Sequence, residues 1–67
     1  MERIIVRTTS NISYAGKLQE NSIFGSDGLA LKPNPELNML IYIPKKEVNQ
    51  VISKGCIRSY DDFIDQN

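Results

Sequence analysis

Apolar residues in this chain recur mostly at every second position, in short runs broken by turn formers, which is the period of β-strands rather than of helices. Arg3 to Thr8 is rich in β-branched residues (Ile4, Ile5, Val6, Thr8) and predicts a first strand buried on both sides or nearly so. Thr8-Thr9-Ser10-Asn11 supplies turn chemistry for a hairpin. Ile12, Tyr14, Gly16 and Leu18 then alternate with Ser13, Ala15, Lys17 and Gln19, the pattern of a half-buried antiparallel strand. Gly16 falls on the inward face, where the missing side chain lets the strand bend sharply.

The next segment is polar apart from Ile23 and Phe24 and ends in Asp27-Gly28, a strong turn signal. Leu29 and Leu31 alternate with Ala30 and Lys32 as a short third strand, which Pro33-Asn34-Pro35-Glu36 stops because proline has no N–H to give a sheet ladder. A fourth strand is expected over Leu37 to Ile43, with Leu37, Met39, Ile41 and Ile43 on one face and Leu40 and Tyr42 on the other. Two apolar faces on one strand mean cover on both sides, either from a terminal helix or from a subunit interface through Leu40 and Tyr42. Pro44-Lys45-Lys46-Glu47 reads as a tight turn or a single 3₁₀ turn, Val48 to Ile52 as a last strand, and Lys54-Gly55 as its close.

From Ser59 the period changes. Ser59-x-x-Asp62 is a capping-box-like start with acids in the first turn, and Tyr60, Phe63 and Ile64 are spaced to pack one face of a short helix. The expected fold is therefore mainly β: one domain over residues 1–67, with a five-stranded antiparallel barrel at about 3–53 and a helical tail at about 59–66.

Two stretches carry a resemblance. Ile4-Ile5-Val6-Arg7 through Tyr14-Ala15-Gly16-Lys17-Leu18 looks like a strand, a polar turn and a Gly-x-Leu strand, and Leu40-Ile41-Tyr42-Ile43-Pro44-Lys45-Lys46-Glu47-Val48 matches the length and apolar spacing of a second motif. Together they resemble the Sm-like barrel family, which includes bacterial Hfq, over about residues 3–52. The resemblance implies a non-enzymatic, ring-forming scaffold that contacts single-stranded RNA. In that register the turn at Ser26, Asp27 and Gly28 and the turn at Lys45 and Lys46 would meet on one rim, placing acceptors beside two ammonium groups. The family's asparagine before Leu-x-Leu is replaced here by Gly28, and its Arg-Gly by Pro44-Lys45. Small barrels of Src-homology type meet the same pattern, so the competing expectation is a protein-binding module or inhibitor that acts through a sheet edge or an exposed apolar strand.

Composition narrows the chemistry. At 67 residues the chain lies near the size at which a hydrophobic core alone holds a fold, so self-association would help it. With no histidine and a single cysteine, Cys56, neither an intramolecular disulfide nor the usual Cys/His metal site can be assembled, and no serine has an imidazole base. No enzyme activity and no cofactor are expected. No apolar run approaches the roughly 18 residues of a membrane helix, so a soluble cytoplasmic protein is expected. Net charge is zero but unevenly spread: residues before Ser59 carry +3, and Asp61, Asp62 and Asp65 carry −3. The expected partners are further copies of the chain, with single-stranded RNA or a protein as ligand.

Overall fold

The computed structural model describes residues 3–19 and 28–65. Six strands follow one another: β1 (Arg3–Thr8), β2 (Ser13–Leu18), β3 (Gly28–Lys32), β4 (Ile41–Pro44), β5 (Val48–Ser53) and β6 (Cys56–Arg58). A 3₁₀ turn over Lys45–Glu47 links β4 to β5, and a helix α1 (Tyr60–Asp65) ends the described chain. All neighbours pair antiparallel in one sheet of order β4-β3-β2-β1-β5-β6.

Each element has a local cause. The β1–β2 hairpin turns through Thr8 to Asn11, where the Asn11 N–H donates to the Thr8 carbonyl at 3.0 Å and Asn11 takes a left-handed φ of 68°. Asparagine tolerates that conformation better than most residues. The buried Thr8 hydroxyl is satisfied at Ile12, bonding both its carbonyl (3.1 Å) and its N–H (3.2 Å). In β1 burial alternates strictly: Ile4, Val6 and Thr8 point inward, while Arg3, Ile5 and Arg7 face out. The strand is thus one-sided, contrary to the expectation of burial on both faces; β-branching marked it as a strand but did not say which residues were covered.

Gly16 is where the sheet folds over. β2 pairs with β1 from Ser13 to Lys17 but with β3 only at Lys17 and Leu18, so its two ends serve two halves of the sheet. A side chain at Gly16 would meet the Lys32 backbone carbonyl at 2.9 Å, closer than real Cβ contacts come. The folded halves enclose a core of Ile4, Val6 and Val51 from one side and Leu29, Leu31 and Ile43 from the other, with Tyr60 and Phe63 of α1 packed against it.

The expected closed five-stranded barrel is not formed. The sheet is open, with β4 and β6 at its two edges. The sixth strand explains part of this: Lys54 (φ 53°) and Gly55 (φ 78°) are both left-handed, the geometry of a two-residue hairpin turn, so the chain doubles back and β6 occupies the outer edge of β5. Lys54-Gly55 had been expected only to end a strand. The fourth strand is also shorter than expected, beginning at Ile41 rather than Leu37; an Asn34 turn, with Asn34 Oδ1 accepting from the Glu36 N–H at 2.9 Å, holds the chain out of the sheet before it.

At the C-terminus Ser59 caps α1, its Oγ accepting from the Asp62 N–H at 3.2 Å, as expected from the capping-box-like sequence. Tyr60 and Phe63 are buried, but Ile64 is 42% exposed and does not pack onto the core as the helical spacing suggested. Six residues bury only the two side chains on the sheet side of the helix. Among the described residues no helix is long and apolar enough to cross a membrane.

Candidate functional site

Of the two turns expected to meet on one rim, the described residues include Gly28 of the first and Lys45 and Lys46 of the second. Gly28 at the start of β3 stands directly opposite Pro44 at the end of β4, which brings Gly28 beside the Lys45–Glu47 turn. Ser26 and Asp27 lie outside the described residues. Gly28 is required at its position because a Cβ there would lie 2.5 Å from the Ile43 carbonyl oxygen and 2.6 Å from the Tyr42 hydroxyl. The Tyr60 hydroxyl donates to the Gly28 carbonyl at 3.3 Å, tying α1 to the same corner.

Lys45 turns toward the helix. Its ammonium lies 3.5 Å from Asp61 Oδ1 and 5.7 Å from the centre of the Tyr60 ring. The ion pair is exposed and worth little in stability, but a polyanion approaching Lys45 also meets Asp61. Lys46, with Tyr42, Pro44 and Lys45, lines an open hollow of about 460 Å³ on the same corner. Nothing local in the sequence pointed to the Lys45–Asp61 contact, since the two lie sixteen positions apart.

A second cleft lies beside the edge strand. β4 pairs only with β3, so its other side is free of any strand among the described residues. Between that side and the β1–β2 hairpin is a hollow of about 130 Å³, lined by Thr8, Ile12 and Tyr14 of the hairpin and by Ile41, Ile43 and Glu47. Its size is close to the roughly 150 Å³ of a cavity that accepts benzene. The hairpin is held in place there by the Thr9 N–H, which donates to the Glu47 carbonyl at 3.0 Å. Leading into β4, Leu37, Met39 and Leu40 are each about half exposed, and Tyr42 is 36% exposed. The sequence pattern predicts cover over Leu40 and Tyr42 from a helix or a subunit, whereas both are exposed in the single chain; it does not show Ile12 and Tyr14 as the opposite wall, because a hairpin facing a distant edge leaves no mark in local periodicity.

Comparison with protein families, with curated proteins and with solved structures finds no match for this chain. Among the described residues no three of His, Cys, Asp or Glu gather as a metal site, and Cys56 is an exposed free thiol.

Proposed function

We propose that this protein is a non-enzymatic binding module that takes up an extended segment of a partner polypeptide along the outer side of β4. The observation that carries this reading is the position of β4: an edge strand preceded by exposed Leu37, Met39 and Leu40 and flanked by the cleft against Ile12 and Tyr14. An edge strand offers a row of backbone donors and acceptors, and a segment added there gains main-chain hydrogen bonds while alternate side chains enter the neighbouring hollow. An apolar residue every second position of the ligand is the matching chemistry.

A second reading is favoured by one observation, the Gly28–Pro44 register. In it the protein is an Sm-like, self-associating scaffold that contacts single-stranded RNA at Gly28, Lys45 and Lys46, with Ser26 and Asp27 completing the rim. Lys46 then supplies most of the phosphate attraction, since Lys45 is shared with Asp61.

Selection of peptides from a random library on the immobilised protein separates the two. The binding-module reading expects enriched peptides with alternating apolar residues whose binding is lost on Leu40→Asp or Met39→Asp and is unchanged by Lys46→Glu. The RNA reading expects no such peptides, and instead steeply salt-dependent oligonucleotide binding that Lys46→Glu weakens.

A further inference from the structure

On the outer face of the sheet, the registers line up three transverse rows. Ile5 stands opposite Ala15 on β2 and opposite Ile52 on β5, and Ile52 stands opposite Ile57 on β6, so one aliphatic row crosses four strands. Ile57 is 62% exposed and Ile5 39%. One step along, Arg3 stands opposite Lys17, and Lys17 opposite Lys32, a row of three cations on adjacent strands. On the far side of the aliphatic row, Arg7 lies between Ser13 and Gln50.

Like charges directly across strands destabilise a sheet, and strands lie about 4.8 Å apart, so this row concentrates positive charge at a cost in stability. The described residues place no carboxylate in ion-pair contact with it; the described ion pair is Lys45–Asp61. An aliphatic strip bordered by cations that no described carboxylate pairs with fits a partner that carries an apolar side chain flanked by carboxylates. The strip itself, Ile5, Ala15, Ile52 and Ile57, offers no aromatic ring for an unstacked base to lie on.

The chain itself carries such a partner. On α1, Asp61, Ile64 and Asp65 fall at i, i+3 and i+4, on one side of the helix, and all three are exposed. We infer that the outer sheet face binds α1 of a second copy of this chain, with Ile64 on the Ile5–Ile52–Ile57 row and Asp61 and Asp65 toward Arg3 and Lys17. Donor and acceptor surfaces differ, so the contact is head-to-tail and adds copies into a ring or a chain. It uses neither Leu40 nor the β4 edge, and it stands independently of the proposed function.

Sedimentation and native mass spectrometry of three samples at low ionic strength test the inference. A face variant, Arg3→Glu with Lys17→Glu, and a helix variant, Ile64→Lys with Asp65→Lys, are each expected to be monomeric where the wild type associates, with association weakened about tenfold or more. Mixed in equal amounts they associate again, intact helix on intact face and, with both charges reversed, substituted helix on substituted face. Circular dichroism melts confirm folding, and carrying all four substitutions on one chain restores association by reversing both charges. A wild type that stays monomeric at low salt overturns the inference. So does a mixture that remains monomeric, which would mark a contact between like surfaces, or an oligonucleotide complex lost on Arg3→Glu, which would assign the cations to nucleic acid.

Discussion

β1 and β3 both lie inside the sheet, and both send two aliphatic side chains into the core: Ile4 and Val6 from one, Leu29 and Leu31 from the other. Their opposite faces differ. On β1 that face carries Arg3, Ile5 and Arg7, all exposed; on β3 it carries Gly28 and Ala30, both buried, and Lys32. Small residues on β3 let Tyr42, which stands opposite Ala30, lay its ring against Gly28. The core face thus tells little about role, because the two strands match there. The outer face separates a strand covered by its own chain from one that presents a surface.

The sharpest way to break this comparison is to place the same charge on both outer faces. Ala30→Glu puts a carboxylate into a position 1% exposed and is expected to cost about 3 kcal/mol, a large part of the stability of so small a domain. Ile5→Glu, measured by urea unfolding at dilution where copies are separate, is expected to change stability by no more than about 0.5 kcal/mol. Equal losses would mean that the two faces are covered alike.

Gly16→Ala tests the fold line between the two halves. Its Cβ would press on the Lys32 carbonyl, a backbone atom that cannot swing aside, and thermal unfolding should show a loss of about 2 kcal/mol. Lys17→Ala, the next residue but outward, should leave stability the same or slightly higher, since it removes one of three aligned cations. Tyr60→Phe, which removes the hydrogen bond to the Gly28 carbonyl, should cost about 1 kcal/mol. If Tyr60→Phe costs nothing, that hydrogen bond contributes nothing to holding α1 in place.

Much of this was legible from residues. Alternation located β2 and its bend, Pro44 to Glu47 announced the 3₁₀ turn, and Ser59 announced the helix. What escaped were features settled at a distance. Lys54-Gly55 followed by three residues gave too short a run to read as a strand, and only pairing with β5 makes β6 one. Leu37 to Leu40 alternate like strand residues, yet the turn at Asn34 keeps them outside the sheet. For the candidate site, the double apolar face singled out Leu40 and Tyr42 but predicted cover for them, whereas both are exposed in the single chain. The Asp61 partner of Lys45 and the hairpin wall opposite β4 depend on how the sheet curls, which no local pattern encodes.

The most direct test of the binding-module account is backbone amide exchange in β4, measured with and without a selected peptide. The account predicts that exchange slows among Ile41, Tyr42 and Ile43 when the peptide is bound, while the amides of Ile5 and Ile52 are unchanged. Slowing confined to Lys45–Glu47, or no change in β4 at saturation, would contradict it.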